Sequence, residues 1–238
     1  NTLYTSANTV SGFSISTYTG VGDVGSRTFG HGLTKAPEIV MIKNLSANEN
    51  WVVGSNYTHP TLPWKYKMGS LDNNTVRTES GAYFADTAPT NALFTIEGNA
   101  GVNGSGNNMQ AYCFHSVPGF SSIGRYRGTG NAHGPFIYTG HSVGWLLIKK
   151  ITGSVDSWFI NDNQRSATGG SNPNHYYLRP DVSTAEGTST SLSIELLSNG
   201  FKIRNADTAY NHDDSTYFYM SFASAPIVGS NNVPANAK

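Results

Sequence analysis

Histidine, carboxylate and aromatic side chains are the groups with which this chain could do chemistry, and their spacing favours contact over reaction. The seven histidines (31, 59, 115, 133, 141, 175 and 212) are scattered. Neither H-E-x-x-H nor a tight pair at ligand spacing occurs. His133 and His141 flank a turn, where two surface histidines are a plainer reading than a shared metal. G-x-S-x-G, which often announces an activated serine, is absent. Glycoside hydrolysis needs two carboxylates at a defined separation. Glu97, Glu195, Asp162 and Asp181 supply the groups, but no spacing selects a pair. Asn205-Ala206-Asp207 and Asp213-Asp214 bracket a polar loop whose hard oxygens would suit Ca²⁺. Gly104-Ser105-Gly106, the matching loop earlier in the chain, has no carboxylate, so a solvated acidic turn is the better account. No catalytic residue, metal or cofactor is assigned, and the chain reads as a non-enzyme.

The aromatic residues offer binding chemistry instead. Sugars stack their apolar faces on Trp and Tyr while Asn and Asp bond the hydroxyls. Trp51 and Trp158 lie 107 residues apart in matching contexts, which points to the core. Trp64, Tyr66, Tyr176, Tyr177 and Asp181 escape that matching and fall in polar stretches, 55–90 and 163–185. Loop residues outside a shared pattern are candidates for partner contact. These five are the predicted ligand-binding residues, with the four aromatics expected to be exposed.

The elements that must position them are strands. Only 13% of residues are charged, against 26 Gly and 12% aromatic residues. Few charges with many β-branched and aromatic residues, punctuated by Gly and Asn, favour strands and turns. No apolar run keeps a helical period, so the fold class is all-β.

Within it the chain repeats itself. Gly12-Phe13 returns as Gly119-Phe120, and Tyr18-x-Gly20-x-Gly22 as Tyr126-x-Gly128-x-Gly130. Ile39–Lys43 answers to Trp145–Lys149, and Asn103, Phe114, Ser116 and Pro118 to Asn211, Phe222, Ser224 and Pro226. The offset stays between 106 and 108 throughout. This predicts tandem duplicated β-sandwich or jelly-roll-like units, 1–118 and 119–227, packed against each other at Pro118-Gly119 without a linker. The runs near Ile39 and Leu146 do not alternate, so both of their faces should be covered. Residues 228–238 read as a flexible or partner-bound tail.

Charge and length exclude some partners. Fifteen Lys and Arg balance fifteen Asp and Glu, whereas nucleic-acid binding calls for a positive excess. No stretch approaches the ~18 apolar residues of a membrane-spanning helix. The single cysteine, Cys113, lies in an alternating run and reads as a small buried residue. The chain opens at Asn1 with neither initiator Met nor signal peptide, as a processed or partial product would.

Tyr-x-Gly-x-Gly, Gly30-His31-Gly32-Leu33 and Ala36-Pro37-Glu38-Ile39-Val40-Met41-Ile42-Lys43-Asn44 form an ordered series. It continues through Ala111–Phe120, Leu197–Arg204 and Tyr217–Ala223. The series resembles a repeat module of uncharacterised function found at the C-terminal end of tailed-phage virion proteins, cyanophages included. The resemblance spans nearly all of residues 11–227 and departs from the pattern in loops 55–90 and 163–185. It implies a structural protein on the virion surface, in a tail, fibre or appendage. Its partners would be other virion proteins, copies of itself in a homo-oligomer and a host surface glycan. A capsid decoration or cement role is the alternative, and a polysaccharide depolymerase the third reading. The family brings no established catalytic residues to carry across.

Overall fold

The computed structural model describes residues 3–22, 25–79, 81–165 and 172–225. Pro226 and the tail 228–238 lie outside the described residues, as do 166–171 of the second polar loop. The chain divides into two compact units, Asn1–His115 and Ser116–Lys238. Among the described residues strands dominate both, the three α-helices, of which α1 is Gly81–Phe84, are single turns, and every strand pair is antiparallel. The fold is all-β.

Unit 1 holds β1 (Leu3–Asn8), β2 (Phe13–Thr19), β3 (Arg27–Gly30), β4 (Ile39–Asn44), β5 (Val52–Ser55) and β6 (Tyr66–Lys67). It continues with β7 (Gly69–Ser70), β8 (Thr78–Glu79), β9 (Leu93–Ile96) and β10 (Asn108–Phe114). The main sheet runs β1-β2-β10-β4-β5-β7, with β3-β9 and β6-β8 as separate pairs. Period-two alternation sets its inner face. Strand β2 buries Ser14, Ser16 and Tyr18, and β10 buries Met109, Ala111 and Cys113. Ser16 Oγ donates to Gly30 O at 3.3 Å, which places the end of β3 over this face. The small inward side chains leave room for Phe29 and Phe94 from the second sheet, and Tyr18 stacks on Phe29 at 4.2 Å. Both sheets thus share one core. Each ring fully removed from water contributes about 1.5–3 kcal/mol. Cys113 sits inside it as a small apolar filler, and burial pushes its thiol up to about 12.

Unit 2 holds β11 (Ser121–Arg127), β12 (Phe136–Tyr138), β13 (Val143–Lys150), β14 (Trp158–Asp162) and β15 (Tyr176–Tyr177). Strands β16 (Gly187–Thr188), β17 (Ile194–Leu197), β18 (Gly200–Ile203) and β19 (Thr216–Ala223) complete it. Its main sheet runs β11-β19-β13-β14, the order of β2-β10-β4-β5 in unit 1. A second sheet, β12-β18-β17, contributes Ile137, Phe201 and Ile194 to a core shared with Tyr126, Leu146, Phe159 and Tyr217. The non-alternating runs are buried on both faces: Ile39, Val40 and Ile42 at 0%, Leu146, Leu147 and Ile148 at 0–3%.

The same braces recur inside each unit. Tyr18 Oη donates to Val102 O at 2.6 Å, and Tyr126 Oη to Tyr210 O at 2.8 Å. Asn103 Oδ1 accepts from Val21 N at 2.9 Å, and Asn211 Oδ1 from Thr129 N at 2.8 Å. Asn99 and Asp207 cap the single-turn helices α2 (Ala100–Asn103) and α3 (Thr208–Asn211) that deliver those asparagines. This explains the glycine motif. A Cβ on Gly20 or Gly128 would come within 2.2 or 2.1 Å of the Gly104 or His212 carbonyl oxygen. Gly22 and Gly130 turn the chain at φ +71° and +62°. Lys43 Nζ donates to Glu49 O, and Lys149 Nζ to Asp156 O.

Candidate functional site

The five predicted contact residues do not form an exposed platform. Trp64 is only 2% exposed, which corrects the expectation of an open ring. Its short 3₁₀ turn, Pro63–Lys65, drives the indole into the core of unit 1. There it meets Phe84 edge-on at 5.3 Å and donates Nε1–H to Asn56 Oδ1 at 2.7 Å. The indole N–H has found the partner that burial requires. Tyr66 is half-buried, stacked on His59 at 4.8 Å with its hydroxyl 3.3 Å from Glu79 Oε2. Glu79 also pairs with Lys65 at 2.7 Å, so Tyr66 closes a local cluster.

In unit 2, Tyr176 and Tyr177 are half-buried on β15 rather than exposed. Tyr177 packs against Phe159 of the core at 5.4 Å, and Tyr176 O accepts from Asn161 Nδ2 at 2.9 Å. Asp181 Oδ1 accepts from Trp158 N at 3.3 Å. Asp72 does the same for Trp51 N at 3.2 Å, so Asp181 makes a bracing contact with a counterpart in unit 1. Trp158 is fully buried, while Trp51 stays half-buried against Tyr112 at 5.7 Å.

The reactive groups are likewise engaged locally. Asp162 pairs with Arg165 at 2.6 Å and Glu195 with Arg204 at 2.9 Å. Asp207 caps α3, and Asp214 pairs with Arg127. His31 is buried with Nδ1 accepting from Leu33 N at 3.1 Å and Nε2 facing Thr90 O at 3.1 Å. Burial lowers its pKa. His141, also buried, lies 3.2 Å from Ser221 Oγ, and burial draws it down to about 4. Burial also pulls Lys149 down to about 8, an effect that Asp181 and Asp156 oppose. Among the described residues no three His, Cys, Asp or Glu side chains gather to hold a metal.

Open surface lies elsewhere in unit 1. A groove of about 460 Å³ is lined by Tyr4, Thr17, Tyr18, Thr19, Leu45, Asn108 and Met109. A smaller cavity of about 220 Å³ adjoins the Trp64 turn and includes Lys65 and Asp86. Ala85 and Asp86 both adopt φ +52° there, a backbone region that costs non-glycine residues energy. Sequence reasoning missed the groove because β1 precedes the repeated positions. Its available signal was the alternation of Leu3, Thr5 and Ala7 with Tyr4, Ser6 and Asn8 before a glycine turn.

The family described as Domain of unknown function (DUF7483) matches residues 2–226. The chain belongs to the DUF7483 family. The match starts ahead of β1 and runs past β19, so a single DUF7483 domain takes in β1 and both units. No curated protein and no solved structure matches the chain.

Proposed function

We propose that this DUF7483 chain is a non-enzymatic surface component of a tailed-phage virion, built from two copies of one β-sandwich unit, that attaches to host surface glycan. The observation that carries the reading is the recurrence of one scaffold. The same four-strand order, the same Tyr-to-carbonyl bond and the same buried asparagine appear in each unit. A scaffold whose polar groups are taken up in bracing its own turns suits a module that presents surface. The resemblance to phage virion modules supports a virion location, and the balanced charge suits a protein that packs among copies of itself.

Cryo-electron microscopy of the intact particle tests this. Density for the chain at a tail, fibre or appendage, with unit 1 facing outward, is the expected result. A lattice position on the shell would replace adhesion with a cement role. Absence of the chain from purified particles would overturn the virion reading.

A further inference from the structure

Strand β1 is exposed along its whole length, and Tyr4 at its second position is 71% exposed. The strand lies on the free edge of β2, which pairs on its other side with β10, and β10 pairs with β4. Tyr4 stands opposite Thr17, and Thr19 opposite Asn108. Directly opposed side chains on a sheet lie about 4.5–5.5 Å apart. Alternation puts Tyr4, Thr17, Thr19 and Asn108 on the face away from the core, because their neighbours Tyr18 and Met109 point inward. Leu45, 55% exposed, follows β4 and forms the far wall, held by its N–H on Asn108 O at 2.8 Å. Three inter-strand spacings give a width of about 14–15 Å. The groove volume of about 460 Å³ falls within the range of small-molecule sites.

Its chemistry is specific in two ways. None of the lining residues is charged. Among the described residues, the side chains of Tyr4, Thr17, Thr19 and Asn108 make no hydrogen bond, so three hydroxyls and an amide keep their full capacity. Unit 2 differs at the matching edge. At the positions of Thr17 and Thr19 it carries Arg125 and Arg127, the latter paired with Asp214, and no described strand lies on that edge of β11.

We propose that this groove binds a neutral saccharide, one pyranose ring stacking on Tyr4 and its hydroxyls bonding Thr17, Thr19 and Asn108. A ring wall beside unpaired hydroxyl and amide groups matches a sugar, which has both an apolar C–H face and a rim of donors and acceptors. The uncharged lining disfavours phosphate or acidic sugars, whose charge it could not neutralise. The inference rests on the adhesion reading and names its ligand class and residues.

Saturation-transfer NMR of the full chain with glucose, galactose and N-acetylglucosamine, and with N-acetylneuraminic acid as the charged comparison, tests it. Transfer to at least one neutral sugar is expected, weakened about tenfold in Tyr4→Ala, equivalent to ~1.4 kcal/mol. Thr17→Arg, which imports the residue of unit 2, should weaken it similarly. An unchanged thermal midpoint shows that each variant remains folded. No transfer to any neutral sugar, or transfer undiminished in folded Tyr4→Ala, overturns the groove. Transfer lost in Tyr66→Ala but kept in Tyr4→Ala leaves glycan adhesion standing and moves the site. Tyr4-dependent binding by a chain absent from the particle keeps the groove and removes the virion reading.

Discussion

Unit 1 and unit 2 start from the same braces and complete them differently. Asn211 engages its whole amide: Oδ1 accepts from Thr129, and Nδ2 donates to Asn131 O and Asn205 O at 2.7 Å each. Asn103 uses Oδ1 in the same way, but among the described residues its buried Nδ2 has no hydrogen-bond partner. The units also diverge at the edge of the first shared strand, where β1 covers β2 and two arginines occupy β11. Inside the long loop, unit 1 buries Trp64 against Phe84. Positions that the units share hold the fold, whereas those they do not share serve either a local core or an open surface. Divergence alone therefore does not mark function; exposure and unpaired polar atoms must accompany it.

The largest test of that contrast is Trp64→Ala. Removing a buried indole should cost about 3–5 kcal/mol, and unit 2 has no equivalent residue to lose. Hydrogen exchange should quicken across residues 52–96 while β13 and β19 keep their protection. Equal loss in both units would break the contrast.

Asn211→Ala and Asn103→Ala come next. The first leaves several buried backbone groups unpaired and should cost about 2–4 kcal/mol; the second removes a less complete set and should cost about 1–2 kcal/mol. Urea denaturation of the two variants gives the order directly, and a reversed order would show that Asn103 braces its unit more fully than Asn211 does.

Acid should act on both units with the same sign. His141 binds its proton only near pH 4 when folded but near 6.5 when unfolded, so the unfolded state takes up protons first. Stability is complete above about pH 6.5 and falls as the pH drops towards 4, by on the order of 2–3 kcal/mol. The pKa of His31 is lowered in the same direction. His141→Gln should flatten the denaturation midpoint over this window, and a profile identical to the parent protein would remove His141 from the explanation. Arg127→Ala, at an ion pair open to solvent, should leave the midpoint unchanged.

Sequence patterns revealed the parts that both units share. Tyr18 with Tyr126, Asn103 with Asn211 and the glycine turns recur because close backbone approach and a buried amide tolerate few other residues. The continuous apolar runs announced strands covered on both faces. Other features left weaker traces. Asp181 looked peculiar to unit 2 because its partner is a backbone N–H, which leaves no residue type to match; Asp72 plays the same part in unrelated surroundings. Trp64 looked like a loop aromatic because its core neighbours, Asn56 and Phe84, come from the same polar stretch. Strand β1 lies outside the repeated positions, and because it is exposed its one trace is the weak alternation of Leu3, Thr5 and Ala7 with Tyr4, Ser6 and Asn8.

The most direct measurement is an amide chemical-shift map of the full chain titrated with the neutral sugar that shows the strongest saturation transfer. The groove predicts shifts gathered at Tyr4, Thr17 to Thr19, Leu45, Asn108 and Met109, with Arg125, Arg127 and Thr216 in unit 2 unmoved. Shifts centred on unit 2, or on Tyr66, would contradict the division between a shared scaffold and the ligand-facing edge proposed for unit 1.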